Sequence, residues 1–376
     1  MAVRPGLYLG LMSGTSLDGI DACLVHIDGD EGSNVQWVDA HAHALSEPLR
    51  AELLALCSPG DNEIERLGRA DRWLGEAFAL ASCELLAKTR VPASTIIALG
   101  SHGQTIRHSP PGPRPTPAYT LQIGDPNTIA QLTGIKTVAD FRRRDIAEGG
   151  QGAPLVPVFH QCVFGADHER RVIVNIGGMA NITLLNAGCD TTGFDTGPGN
   201  VLMDHWAATN LKKPYDHNGA WAARGVVAEA LLEALLAHPY FRQPVPKSTG
   251  RETFNLDWLH AHLTGWPQLS AADIQATLLE FTARTIADAI RAHAPSDCAV
   301  YVCGGGALNG ALMNRLSSLL TPCRVATTEV LGIAPKWVEA AAFAWLAART
   351  MAGLPGSLPG VTGARRPAIL GGIYQA

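Results

Sequence analysis

Residues 7–19, LYLGLMSGTSLDG, constrain the fold more than any other stretch: an apolar run breaks into small and hydroxyl-bearing residues, sets Asp18 before Gly19, and resumes as IDACLVHI. Apolar runs on both sides of a short turn read as strand, tight turn, strand. A Walker loop or a dinucleotide fingerprint would need its own glycine spacing opening a helix, and neither spacing stands here. The turn can instead bring backbone N–H groups, the hydroxyls of Ser13, Thr15 and Ser16, and the Asp18 carboxylate to one point. Amides and hydroxyls wrap phosphate oxygens, and a carboxylate holds magnesium directly or through water. An ordinary glycine-rich hairpin has the same spelling, so a second nucleotide-type loop elsewhere decides between the two.

The second half of the chain repeats this grammar. In RVIVNIGGMANITLLNAG an apolar strand breaks at Gly177-Gly178 and resumes, a loose echo of the opening. Two such elements can face opposite sides of a triphosphate, with Asn175 and Asn181 ordering phosphate or backbone groups, or simply capping turns. AVYVCGGGALNGALMNRL reads as a strand opening through Gly304, Gly305 and Gly306 into a helix. Glycine there admits close approach of a nucleotide, or else of a packed helix. In TTGFDTGPGNVLMDHW, Asp195 lies between glycine-containing turns and just before a helix expected from about Asn200. Three roles fit it: general base, metal or substrate ligand, and loop stabiliser.

The remaining polar candidates sit at strand ends. TIIALGSHGQT is a short strand entering a turn, where His102 and Gln104 either contact sugar hydroxyls or an acyl carbonyl, or satisfy local backbone groups. Ile64, Leu67, Ala70, Leu74, Phe78, Ala81 and Leu85 recur at helical spacing and predict one buried helix face. The stretch KTVADFRRRDIAEGGQGAPLVPVFHQCVF reads as the crossing between lobes. Its acidic and basic residues Asp140, Arg142, Asp145 and Glu148 are expected at a cleft or surface, with Arg142 a ligand contact or an interdomain salt bridge. Glu329 is a ligand contact or a loop stabiliser. The expected lobes are 1–140, carrying the phosphate-binding hairpin, and 141–376, carrying Asp195 and the nucleotide loops, with the terminal helix free to pack back on the first lobe. At 376 residues the chain suits two cores better than one.

Composition closes off other classes. The formal net charge of −5 and a single compact basic patch, Arg142–Arg144, argue against nucleic acid as partner. No run of eighteen apolar residues and no secretory leader pattern is present, so no membrane partner and a cytoplasmic location are expected. The 8 cysteines are dispersed without a CxxC pair, which fits free thiols in a reducing compartment. The nucleophile-elbow spacing GxSxG is absent, which removes the main warrant for covalent hydrolysis.

The ordered set GLMSGTSLDGIDACL, GSHGQT, EGGQGAPLVP, NIGGMANIT and FDTGPGN closely resembles the anhydro-N-acetylmuramic acid kinase family. That resemblance implies an α/β, two-lobed actin/Hsp70/hexokinase-like (ribonuclease H-like) fold with an interlobe ATP cleft. It implies a homodimer that uses ATP and Mg2+ on 1,6-anhydro-N-acetylmuramic acid and water. Water opens the 1,6-anhydro bridge at C1 while O6 takes the γ-phosphoryl group, giving N-acetylmuramic acid 6-phosphate and ADP in cell-wall recycling. On this resemblance Asp195 is the base that activates water. Met12, Ser13, Gly14, Thr15, Ser16, Leu17, Asp18 and Gly19 form the ATP-phosphate segment, with Asp18 organising magnesium through water. Sugar contacts are expected from His102, Gln104, Arg142 and Glu329. An actin-like kinase for an ordinary sugar hydroxyl and a non-enzymatic ATP-sensing module are the alternatives.

Overall fold

The computed structural model describes residues 2–14, 17, 19–112, 116–185, 191–245, 247–250 and 253–376. The chain forms two compact units, one of Met1–Val163 with Trp337–Ala376 and the other of Phe164–Lys336.

In the first unit β1 (Gly6–Met12), β2 (Ile20–Asp28) and β3 (Asn34–His43) make an antiparallel meander. β4 (Ile96–Ser101) lies parallel to β1, β5 (Gln104–Ser109) and β6 (Tyr119–Ile123) form a separate ribbon, and β7 (Thr137–Ala139) lies parallel to β4. A C-terminal strand, Gly372–Tyr374, adds to β7, so the sheet runs C-terminal strand, β7, β4, β1, β2, β3. The second unit holds β8 (Arg171–Ile176), β9 (Met179–Leu185), β10 (Thr192–Pro198), β11 (Ala299–Cys303) and β12 (Arg324–Thr327) in the order β10, β9, β8, β11, β12. The echo read in the sequence is therefore a duplication of topology: three antiparallel strands, then two parallel to the first of them, in both units. This is the repeated α/β sheet of the actin/Hsp70/hexokinase-like fold.

Helices with apolar spacing cover the sheets. Leu74, Phe78, Ala81 and Leu85 of the helix Glu63–Thr89 join Leu9, Leu11, Ile20, Ala22 and Leu24 in one core. Ile64, expected on the same face, is 88% exposed. Ile64 lies in the first turn of this 27-residue helix, ahead of its buried stretch, which begins at Ala70. In the second unit the helix Ala271–His293 contributes Ile274, Leu278, Phe281 and Ile286 to a core with Val174, Ile176, Ala180 and Ile182.

On the other face of the first sheet the helix Val338–Met351 lies directly over two glycines that are register partners, Gly10 of β1 and Gly100 of β4. A Cβ on Gly10 would sit 1.9 Å from the Ala340 carbonyl oxygen, and one on Gly100 would sit 2.0 Å from that of Phe343. Only an absent side chain permits this approach, and the helix supplies small residues, Ala340, Ala344 and Ala347, on its own side.

The units divide after Val163, at the far end of the stretch read as the crossing, whereas the lobes were expected to meet at 140/141. Residues 141–163 are tied to the first unit by aromatic packing: Phe141 lies 5.5 Å from Phe343 and Phe159 5.9 Å from Trp345, centroid to centroid. The terminal helix is likewise part of the first unit.

Gly100→Ala is expected to destabilise the protein by about 1–3 kcal/mol, because the helix backbone must shift to admit the methyl group. Gly68→Ala, on the exposed face of the helix Glu63–Thr89 with no neighbour within 4 Å of its built Cβ, is expected to stabilise by about 0.5–1 kcal/mol. Urea unfolding of the two variants checks this, and equal effects would contradict the packing described.

Candidate functional site

Many of the candidate residues follow the carboxyl ends of the parallel strands, the edge where ligands bind in open α/β sheets, while Asn175, Asn181 and Asp195 lie within strands β8, β9 and β10. In the first unit these ends are Met12, Ser101 and Ala139; in the second they are Ile176, Cys303 and Thr327.

β1 runs through the half-buried Met12 into Ser13, which is 1% exposed. The Ser13 hydroxyl sits 2.7 Å from Gln104 Oε1 and 3.1 Å from the Gly19 carbonyl oxygen, two acceptors for its one proton. The turn is closed by the Leu17 N–H donating to the Gly14 carbonyl at 3.1 Å, with Leu17 at a φ of 58° and its side chain buried. Gly19 meets β3 so closely that a Cβ would lie 2.6 Å from the His43 carbonyl oxygen. Thr15, Ser16 and Asp18, and with them the expected magnesium contact, lie outside the described residues.

His102 follows β4 and is 5% exposed. Its Nδ1 lies 2.8 Å from the Gly103 carbonyl oxygen, which can only accept, so Nδ1 carries the ring proton. Nε2 is then an acceptor, and the Arg142 Nε–H donates to it at 3.0 Å. Burial, and after it the Arg142 cation, push the imidazole down to about 3, so it is neutral across the physiological range. The Phe343 ring packs 4.8 Å away. Both ring nitrogens thus hold protein groups, and His102 acts on Arg142. Gln104, 1% exposed, is turned toward Ser13.

Arg142 is half-buried, and its Nη1 donates to the Gly152 carbonyl at 2.6 Å. The loop it holds is fixed from below by Asp145, whose side chain accepts from the Gly152 N–H and the Thr362 hydroxyl, each at 2.8 Å. Asp145 is fully buried, against the surface or cleft position read from the sequence. Those donors compensate it, and burial still raises its carboxyl above the usual range.

In the second unit three glycine-containing loops converge. The Asn200 N–H donates to the Gly177 carbonyl at 2.8 Å, and the Gly199 and Val201 N–H groups donate to that of Gly178 at 2.9 and 3.1 Å. Gly304, at a φ of 80°, would place a Cβ 2.5 Å from Asn175 Oδ1, and a Cβ on Gly306 would lie 2.3 Å from Ile176 Cγ2. Those two glycines are required by the protein's own packing. At Gly305 the nearest neighbour of such a Cβ is Asn200 Nδ2 at 3.7 Å, and at Gly177 it is the Met179 carbonyl oxygen at 3.5 Å, so room remains there. The sequence reading has Asn200 at the start of a helix; the structure adds that Gly199 and Asn200 donate to the Gly177-Gly178 turn.

Asn175 pairs with Asn181, and Asn181 with Asp195, so a polar row crosses β8, β9 and β10. Strand alternation puts this row on the face opposite the buried Val174, Ile176, Ala180, Ile182 and Phe194. Asp195 is half-exposed and held from three sides. Its N–H donates to the Lys247 carbonyl at 3.1 Å, its carbonyl accepts from the Tyr240 hydroxyl at 2.6 Å, and its Oδ2 accepts from the Thr249 N–H at 3.0 Å. Lys247 Nζ is engaged in turn by the carbonyls of Tyr240 and Phe241 at 3.1 and 3.3 Å and by the Tyr240 ring face at 4.7 Å. Tyr240 and Lys247 were missed because a contact across 45 to 52 positions leaves no local pattern. Glu329 stands apart, exposed after β12, its carbonyl accepting from the Gly332 N–H at 3.0 Å.

A family model for anhydro-N-acetylmuramic acid kinase matches residues 6–376. The anhydro-N-acetylmuramic acid kinase of Shewanella pealeana is 54% identical over 371 residues, 98% of this chain and 98% of that one. Its counterpart in Saccharophagus degradans is 52% identical over 374 residues, 99% of this chain and all of that one (100%). Among solved structures, the Acidaminococcus fermentans (R)-2-hydroxyglutaryl-CoA dehydratase component A aligns at a TM-score of 0.46 and 13% identity, covering 92% of this chain and 99% of that chain. A ROK family glucokinase from Streptomyces griseus in complex with glucose and AMPPNP aligns at 0.39 and 14%, covering 91% and 98%.

His102 provides a pH test. Its folded pKa, about 3, lies below the unfolded value near 6.5, so its contribution is fully present above about pH 6.5 and is lost as pH falls toward 3. Relative to His102→Gln, the parent should lose up to about 1.4 kcal/mol of stability per pH unit between about pH 6 and pH 4. Urea midpoints measured across that range check the slope, and parallel profiles for the two proteins would contradict a neutral, buried His102.

Proposed function

The chain belongs to the anhydro-N-acetylmuramic acid kinase family, and from that premise we propose how its residues divide the work of the reaction. The enzyme is an ATP-dependent kinase that hydrolytically opens the 1,6-anhydro ring of 1,6-anhydro-N-acetylmuramic acid and phosphorylates O6. The observation that carries the residue assignment is the setting of Asp195: a half-exposed carboxylate, at the end of a polar row, with one oxygen oriented by a backbone N–H.

Asp195 takes a proton from water as the water oxygen bonds to C1. The C1–O6 bond breaks, O6 bonds to the γ-phosphorus, and the bond from that phosphorus to the β-phosphate oxygen breaks, releasing ADP. Opening the bridge generates the accepting oxygen, so no second base is needed at O6, and the site has mainly to align and stabilise transfer. Asn175 and Asn181 extend the polar surface beside Asp195. The Gly177-Gly178 turn and Gly305 are assigned to the nucleotide, with Gly304 and Gly306 fixing the loop that presents them. The Met12–Gly19 turn is assigned to the phosphates. Arg142, oriented by neutral His102, is assigned to the anionic sugar substrate, and Gln104 to orienting Ser13. Glu329 remains a proposed sugar contact.

The expected magnesium ligand, the Asp18 carboxylate acting through water, is a hard oxygen donor and fits that ion. When bound with ATP it offsets phosphate charge. A homodimer and a cytoplasmic location are proposed on the family reading. Among the described residues no helix is long and apolar enough to cross a membrane.

Asp195→Asn keeps the size and hydrogen-bonding shape of the side chain and removes its basicity. Turnover is expected to fall by about 10²–10⁴-fold, with nucleotide binding by calorimetry unchanged. Near-parental turnover in a variant that still binds both substrates would show that the base is another group.

A further inference from the structure

β3 carries His41 and His43 two positions apart, so both side chains lie on one face of this edge strand. Their register partners, Ala22 and Ile20, belong to the core that the helix Glu63–Thr89 covers, so the histidines meet that helix at its rim. There Glu84 Oε2 stands 2.9 Å from His41 Nε2 and 2.8 Å from His43 Nδ1. The three ligand-type atoms all lie within 4.8 Å of one another. Each side chain is part-exposed, at 31%, 18% and 39% for His41, His43 and Glu84, so solvent and ions reach the cluster. The neighbouring cation does not compete for Glu84: Lys88 Nζ donates to Asp39 Oδ1 at 2.8 Å and to the Ala40 carbonyl at 2.9 Å. Nothing in the kinase reaction uses these three groups.

We propose that His41, His43 and Glu84 form a binding site for a first-row divalent cation of the zinc type, with water completing the coordination. Two imidazole nitrogens and one carboxylate oxygen are a donor set that zinc accepts. Bond lengths of about 2.0–2.2 Å place tetrahedral ligand atoms roughly 3.3 Å apart. The present separations need only small rotations of part-exposed side chains to reach that spacing. Binding requires lone pairs at His41 Nε2 and His43 Nδ1, so each neutral ring carries its proton on the other nitrogen. Magnesium, which prefers an all-oxygen shell, is not the expected occupant. The ion would clamp the edge strand to the helix one residue from the phosphate turn, since His43 pairs with Ile20, the residue after Gly19.

The test uses the full chain, stripped with chelator, without nucleotide or magnesium. Zinc titrated by calorimetry is expected to bind with one equivalent at micromolar affinity or tighter and to raise the thermal midpoint. Cobalt is expected to give the visible absorption of a four-coordinate, nitrogen-ligated site. His41→Gln, His43→Gln and Glu84→Gln should each weaken zinc binding at least tenfold while melting, metal-free, near the parental temperature. The absence of a zinc isotherm in the parent would overturn the proposal. So would parental affinity in all three variants, which would place the ion on exposed thiols such as Cys57 or Cys83.

Discussion

Close packing at glycines with no room for a Cβ is the constraint on which both units depend. Gly10 and Gly100 let the Val338–Met351 helix settle into the first sheet, and Gly199, Gly304 and Gly306 let three loops of the second sheet close on one another. A methyl group at any of these would meet protein atoms at 2.0–2.5 Å or closer, well inside van der Waals contact. The glycine richness of the chain therefore has two physical origins. Some glycines are demanded by the fold, and others, such as Gly177 and Gly305, leave space that the protein does not itself fill.

The duplicated topology equips the two units differently. The first ends its parallel strands in hydroxyl, amide and guanidinium groups, arranged by a neutral histidine that spends both ring nitrogens on orientation. Burial keeps that imidazole uncharged beside Arg142, so the guanidinium is held by a hydrogen bond without a competing cation. The second unit ends its strands in glycine turns and sets one carboxylate on the adjoining strand. Asp195 is positioned through its backbone at two points and through one side-chain oxygen at a third, which fixes its direction.

Much of this was legible because the local chemistry is repeated at short range. Strand–turn–strand at 7–28 and 171–185 and the strand before His102 follow from apolar runs broken by glycine and polar residues, whereas Asp195, read as lying between glycine-containing turns, sits within the strand Thr192–Pro198. What was not legible is long-range. The division falls at the end of the crossing stretch, after Val163, because Phe141 and Phe159 pack on a helix some 200 positions later, a contact that the stretch itself does not spell. Asp145 reads as a surface charge until Thr362 and Gly152 are brought to it. Ile64 is exposed because the buried part of its helix begins only at Ala70, a limit that periodicity alone does not contain. Gly304 and Gly306 have one spelling for two roles, and only the distance to Asn175 and Ile176 identifies the packing one.

The central claim is that one carboxylate-activated water opens the sugar bridge in the same event that phosphorylates it. Turnover of the anhydro sugar with ATP in water enriched in heavy oxygen, read by mass spectrometry and NMR before the anomeric oxygen exchanges, tests it directly. The account predicts a ring-opened sugar 6-phosphate with one heavy oxygen at C1 and none in the phosphoryl group. A phosphorylated sugar with its 1,6-anhydro bridge intact, or a product with the heavy oxygen in the phosphate, would contradict it.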